Sequence, residues 1–195
     1  MPRPQCPRCQ RPVSHCLCAL IPSLGSATRV LILQHPSEVA HALNTARLAA
    51  LGLRNAELQV GEVFHDLAQW LAVPGYRPAL LFPGEGAQAA EESCEPTLLV
   101  VLDGTWRKAR KLLHLNPLLG TLPRVTLSDG HVSRYRLRKA PGPGALATVE
   151  AIALALEALE GEDFSALLTP FEAMIERQIE AMGTDTYQRN HLKPG

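Results

Sequence analysis

Residues 97–103, Thr-Leu-Leu-Val-Val-Leu-Asp, constrain this chain more than any other stretch. A half-exposed strand alternates apolar and polar residues, whereas here both parities are apolar until the closing acid. The run is too short for a buried helix and rich enough in Val and Leu to be a strand covered on both faces. Such a strand belongs inside a mostly parallel sheet with helices on both sides. The segment that follows, Gly-Thr-Trp, leads into a helix predicted over 106–115. Trp106, Ala109, Leu112 and Leu113 form its apolar stripe, and Asn116-Pro117 stops it. Arg107, Lys108, Arg110 and Lys111 then lie on its exposed side.

The rest of the chain repeats the alternation of strand and helix. Residues 29–34 read as a buried strand running into a loop at His35-Pro36. Residues 37–52 read as a helix capped by Ser37, with Ala42, Leu43, Ala46 and Ala50 as its stripe and Gly52 at its end. "PALLFPGEG" is a short strand with a glycine-containing loop, "RVTL" is another strand, and "AELQVGEVF" is open between strand and turn. The basic, Pro/Gly-containing loop over 133–147 leads to a helix for which Thr148 is a candidate cap. Its stripe is Val149, Ile152, Ala153, Leu156 and Leu159. A last helix over 165–182 buries Phe171, Met174, Ile175 and Ile179, and a polar, fraying tail follows. The fold class is therefore α/β.

Charge is sorted along the chain although 19 Lys and Arg balance 19 Asp and Glu. Residues 103–139 carry nine cations against two acids, residues 150–180 carry eight acids against one cation, and residues 1–30 hold four Arg and no acid. One basic face on a neutral protein suits a polyanion, although accidental surface bias would also produce it. No apolar run reaches about 18 residues and the N-terminus lacks an apolar signal core, so a cytoplasmic protein without a membrane span is expected. The oligomeric state is left open, a monomer included.

Four of the five cysteines, Cys6, Cys9, Cys16 and Cys18, fall within thirteen residues. Two close pairs of thiolates suit a tetrahedral structural zinc site, with no position left for substrate. His15 is an alternative ligand, and disulfides are disfavoured in a reducing compartment. Cys94 stands apart in a polar loop and reads as a bystander.

The chain has no GxxxxGK[ST] phosphate loop and no GxSxG nucleophile elbow. Ligands in open α/β sheets bind beyond the carboxyl ends of the strands, and three polar clusters occur there: "QHPSE", "FPGEG" and "DGTW". Asp103 is open to two readings, a helix N-cap or a functional carboxylate, and Trp106 to two more, a core anchor or a base-stacking ring. His35 and His41 are equally compatible with capping and with a direct role.

Taken in order, several segments resemble the DTW-domain family of tRNA-uridine aminocarboxypropyltransferases. They are the cysteine cluster, "QHPSEVAHALNT" (34–45), "LLFPG" (80–84), "LDGTWRKARKL" (102–112), "LP" with the strand after it (122–127), "YRLRKAP" (135–141) and "LATVEA" (146–151). One departure is Ala147, where the family carries Ser or Cys; Thr148 and Glu150 remain in place. The resemblance implies a SPOUT-like fold with a C-terminal trefoil knot. Its expected units are a zinc-binding module over 1–26, a catalytic domain over 27–183 and a tail over 184–195. It implies S-adenosylmethionine as co-substrate, zinc as a structural ion and tRNA as partner. The aminocarboxypropyl chain would move to N3 of a variable-loop uridine, leaving methylthioadenosine.

By the same resemblance, Asp103, Thr105 and Trp106 are the expected catalytic residues, with Asp103 open between accepting the N3 proton and positioning the uracil edge or the co-substrate's amine. Leu81, Phe82, Pro83, Gly84, Asp103, Leu137, Leu146, Ala147 and Thr148 are expected around the co-substrate. RNA contacts are expected from His35, His41, Asn44 and Thr45, from Arg107, Lys108, Arg110 and Lys111, and from Arg134, Arg136, Arg138 and Lys139; the zinc module is open between extending them through Arg3, Arg8 and Arg11 and merely stabilising the fold. A SPOUT-type RNA methyltransferase and a noncatalytic zinc-containing RNA-binding protein are the alternatives.

Overall fold

The computed structural model describes residues 4–91, 95–137, 145–183 and 186–187. Six parallel strands form one sheet: β1 (Arg29–Gln34), β2 (Ala56–Val60), β3 (Arg77–Leu81), β4 (Gln88–Ala89), β5 (Thr97–Asp103) and β6 (Arg124–Thr126). Their order across the sheet is β2-β1-β5-β3-β6-β4. The apolar run that opened the sequence argument is thus an inner strand, paired along its length with β1 and β3. Because all strands run the same way, the exits of β1, β5 and β3 lie side by side at one edge.

Alternation along the strands divides the core in two. Val30, Ile32, Leu99 and Val101 point to the face covered by α1 (Ala46–Gly52), α4 (Thr148–Glu160) and α5 (Thr169–Met182). Leu31, Leu33, Leu98 and Val100 point to the face covered by α2 (Leu67–Leu71) and α3 (Trp106–Leu115). Each such side chain, fully buried, contributes about 1.5–3 kcal/mol. The same parity carries Gln34 and Asp103, the last residues of β1 and β5, onto the α4 face as register partners. The N-terminal segment is tied to this body, since Leu17 is 1% exposed within the α4 and α5 core.

Three expectations need correction. The helix expected from Ser37 begins only at Ala46; a 3-10 turn, Pro36–Glu38, and further turns precede it. The early helix is lost because the His35 ring accepts the Ser37 N–H and because Arg11 takes the carbonyls of Ala42 and Asn44, at 2.6 and 2.8 Å. The cap position of α4 belongs to Ala147, not Thr148, whose hydroxyl is used elsewhere. The last helix starts as a 3-10 turn, Ser165–Leu168, and becomes α-helical from Thr169, with Pro170 in its first turn. The open segment 56–60 is strand β2.

Arg3, Cys94, Arg138, Lys139, most of the 184–195 tail and the 138–144 stretch of the expected knot lie outside the described residues. Among the described residues no helix is long and apolar enough to cross a membrane.

Candidate functional site

The carboxylate of Asp103 is 5% exposed and accepts three hydrogen bonds. Gln34 Nε2 donates to Oδ2 at 2.9 Å, Asn44 Nδ2 donates to the same oxygen at 3.1 Å, and Thr148 Oγ1 donates to Oδ1 at 2.5 Å. The donors come from β1, from the turn before α1 and from the first residue of α4. One side chain therefore locks together three segments that are distant in sequence. An ionised carboxylate has about four acceptor positions, so one remains open. Asp103 is not the helix cap: Thr105 holds that place in α3 and accepts the Lys108 N–H. Gly104 is required by close approach, since a Cβ there would lie 3.0 Å from the Cβ of Lys108.

Trp106 is 45% exposed, which removes the core-anchor reading. Its ring meets Phe82 edge-on at 5.6 Å, and the Arg124 guanidinium lies 5.9 Å from the Phe82 ring centroid. Gly84, at φ 149°, lets that guanidinium approach, because a Cβ would come within 2.3 Å of Arg124 Nη1. The exits of β3 and β5 thus present two aromatic rings and a cation beside the Asp103 hub. Pro83 is exposed, Leu81 and Leu146 are half-buried, and Leu137 packs partly on the core.

The loop that precedes α4 is held by Glu150, 3% exposed. Its carboxylate accepts from Ser133 Oγ at 2.8 Å, from the Arg134 N–H at 2.6 Å and from the Ala147 N–H at 2.7 Å. The last bond is half of a capping box; the other half is missing because Ala147 has no side-chain oxygen. Glu150→Ala leaves up to three donors unpaired at about 1–3 kcal/mol for a buried group. A fall in Tm of about 2–12 °C is expected at roughly 2–4 °C per kcal/mol, read by thermal unfolding.

Of the six described cations expected at phosphates on α3 and the 134–136 segment, four have acidic partners within the protein. Lys108 meets Glu38 at 2.6 Å, Lys111 meets Glu62 at 2.7 Å, Arg134 meets Glu172 at 2.5 Å, and Arg136 pairs with Glu176. Arg107 and Arg110 are exposed and take part in none of the described ion pairs. His35 is 8% exposed; its Nδ1 accepts the Ser37 N–H, so Nε2–H donates to Glu62 at 2.8 Å. Lys111, and less strongly His35, hold the Glu62 carboxyl below its usual range. Asn116 fixes this acid by donating to the Glu62 carbonyl at 2.8 Å and accepting the Phe64 N–H at 2.9 Å. His41 is exposed, with Nδ1 on the Leu43 N–H, and the Thr45 hydroxyl accepts the Val149 N–H.

Sequence reasoning missed Gln34, Glu38, Glu62, Asn116 and Arg124. Gln34 left a readable signal, since like Asp103 it is the polar residue that ends an apolar strand, and Glu38 shares its "QHPSE" cluster.

The Sγ atoms of Cys6, Cys9, Cys16 and Cys18 all lie within 4.8 Å of one another, with Cys6–Cys18 at 3.6 Å and Cys9–Cys16 at 3.8 Å. This cluster can hold a metal ion. Backbone N–H groups of Cys9 and Arg8 lower the Cys6 thiol to about 6. Burial opposes ionisation at Cys9, but the N–H groups of Leu17 and Arg11 outweigh it. Burial and the neighbouring thiols push Cys18 up to about 12, so ionising all four requires a cation among them. The cluster is joined to the sheet edge: Arg11 binds the Asn44 carbonyl, and the Asn44 side chain binds Asp103.

Fold and site together define an α/β protein with a four-cysteine cluster and an aspartate hub at its central strand exit. The DTW domain model matches residues 3–179, and the chain belongs to the DTW-domain family. It is 30% identical to tRNA-uridine aminocarboxypropyltransferase 2 of Macaca fascicularis over 97% of this chain and 68% of the relative. It is 33% identical to the Drosophila melanogaster protein of that name, over 91% and 76%. Identity to tRNA-uridine aminocarboxypropyltransferase A of Arabidopsis thaliana is 27%, over 97% and 82%. The chain spans 64% of the length of the matching Mus musculus protein. No solved structure matches it.

Proposed function

We propose that this protein transfers the 3-amino-3-carboxypropyl group of S-adenosylmethionine to N3 of a uridine in the variable loop of tRNA, releasing methylthioadenosine. The observation that carries this reading is the Asp103 hub at the "DGTW" strand exit, in a chain whose DTW-domain relatives are named for that transfer. The compartment consistent with a tRNA substrate is the cytoplasm, and the domain boundaries we favour are 1–26, 27–183 and 184–195. We also favour a SPOUT-like knotted arrangement of the C-terminal part.

A sulfonium offers three carbons to a nucleophile, and the one placed in line is displaced. Bond formation between uridine N3 and the aminocarboxypropyl carbon breaks that carbon's bond to sulfur. The bond's electron pair stays on sulfur as a neutral thioether, and the N3 proton passes to an acceptor. Asp103 has one acceptor position left after its internal bonds, and it serves N3–H there. Gln34, Asn44 and Thr148 keep the carboxylate from turning. The rings of Phe82 and Trp106 and the backbone at Pro83-Gly84 suit a flat adenine or uracil, with Arg124 behind them. For the cysteine cluster we favour zinc: at a Zn–S distance of about 2.3 Å the edge of a tetrahedral shell is about 3.8 Å, close to the two sulfur separations above.

Trp106→Ala removes a half-exposed ring, so its effect is expected on RNA rather than on folding. Stacking a base on an aromatic side chain gains about 1–3 kcal/mol, equivalent to a rise of about 5- to 150-fold in KM for tRNA with little change in Tm. The reaction itself is tested by incubating the protein with S-adenosylmethionine and unmodified tRNA and analysing the nucleosides by mass spectrometry. An aminocarboxypropyl-uridine supports the reading; a methylated nucleoside or no new nucleoside overturns it.

A further inference from the structure

The N-terminal module and the body enclose a cleft of about 460 Å³ beside Asn44. One wall comes from residues 5–17, another from 39–48, and the third from Met174, Arg177 and Gln178 of α5. No aspartate or glutamate lines it, whereas three guanidiniums (Arg11, Arg47 and Arg177) and the imidazoles of His15 and His41 do. None of the described ion pairs involves these three arginines. This sets the cleft apart from the basic surface of α3 and the 134–136 loop, where four cations already touch carboxylates.

Four thiolates around a dication carry a formal charge of two minus, and this must be set against the cleft's cations. Arg8 and Arg11 stand beside the cluster, Arg8 on the Cys18 carbonyl and Arg11 on the Ala42 and Asn44 carbonyls. They offset that charge. Arg177 donates to the Cys16 carbonyl at 2.9 Å, a neutral partner that leaves its charge intact, and Arg47 takes part in none of the described ion pairs. Two positive charges therefore remain uncompensated in an acid-free concavity.

We infer that this cleft binds the phosphodiester backbone of the tRNA, as a second contact region outside the Asp103 pocket. The inference rests on the proposed tRNA reaction. Asn44 lines the cleft and also donates to Asp103, so a strand lying in the cleft reaches the site where its uridine reacts. Phosphate contacts of this kind position the polynucleotide and make affinity depend on salt.

The experiment measures tRNA binding by full-length zinc-loaded protein across a salt series, for the unaltered chain and for Arg47→Gln, Gln178→Glu and Arg77→Gln. Arg77 sits at the opposite edge of the sheet, paired with Glu95, and serves as the charge control. Arg47→Gln is expected to weaken binding about three- to tenfold and to reduce the salt slope by about one. Gln178→Glu, which puts an acid on the α5 wall without changing shape, is expected to weaken it at least as much, and Arg77→Gln to leave it unchanged. Unchanged tRNA affinity in both cleft variants overturns the inference. So does loss of S-adenosylmethionine binding with tRNA binding intact, which would make the cleft a small-molecule site. Nucleoside analysis on the unaltered protein keeps the two readings separate: product with unaffected cleft variants sinks the cleft alone, and weakened cleft variants without product sink the reaction alone.

Discussion

Asp103→Asn is expected to reduce aminocarboxypropyl transfer by at least about 100-fold, the scale of losing a positioned proton acceptor, while Tm stays within a few degrees. The two halves of this expectation have separate origins. An asparagine can keep its oxygen toward the amides of Gln34 and Asn44 and turn its NH2 toward Thr148, whose hydroxyl then accepts instead of donating. All three internal partners remain satisfied, so the fold is retained. In the proposed reaction the negative charge that faces uridine N3 is gone, and none of the described hydrogen-bond partners of the hub is an acid that could replace it. Asp103→Ala behaves differently, because it strands three donors at a site 5% exposed. It is expected to cost about 2–4 kcal/mol on top of the lost activity. Steady-state turnover and thermal unfolding of the two variants separate charge from scaffolding. Full activity in the asparagine variant would show that Asp103 only braces the strand exit.

Loss of the proposed zinc ion is the second large expected effect. Cys9→Ser, at the most buried of the four ligands, is expected to abolish stoichiometric zinc and to lower Tm by at least about 10 °C. A structural zinc site supplies folding free energy outright, about 10–16 kcal/mol in isolated zinc-finger peptides, and a few kcal/mol here would suffice for that shift. The damage reaches the body of the protein. Leu17 leaves the core shared by α4 and α5, and Arg11 no longer holds the Ala42 and Asn44 carbonyls. With the turn before α1 released, Asn44 is no longer aimed at Asp103, so turnover falls together with metal content. Protons compete with the metal for the thiolates, so zinc content also falls as the pH is lowered. Metal analysis alongside unfolding checks this; a zinc-free variant with unchanged Tm and turnover would make the module a dispensable appendage.

Much of this architecture was legible in the residues themselves. The double-parity apolar run at 97–103 marks an inner parallel strand, and the stripes of α3 and α4 mark helices that cover it. The cysteine spacing marks a cluster that can hold a metal ion, and the "DGTW" stretch marks the exit of the inner strand that ends in Asp103. What escaped was decided by long-range contacts. The helix expected from Ser37 fails to form because Arg11, some thirty residues earlier, takes carbonyls that helical bonding would have used. That same peeled segment aims Asn44 at Asp103 and brings Glu38 to Lys108, so neither contact shows in local sequence. Thr148 reads as a cap from its neighbours alone, yet its hydroxyl answers to a carboxylate 45 residues away. Cation runs mark a basic segment but not which of its charges are already matched, and acids on the turn before α1, on the loop after β2 and on α5 neutralise four of them.

The most direct measurement follows two isotopic labels in one reaction. S-adenosylmethionine carrying label in its carboxyl carbon, and separately in its methyl carbon, is incubated with the protein and unmodified tRNA. The proposed reaction predicts that carboxyl label enters the tRNA in step with release of methylthioadenosine, while methyl label stays with the thioether. Methyl label in the tRNA, or neither label, would contradict it.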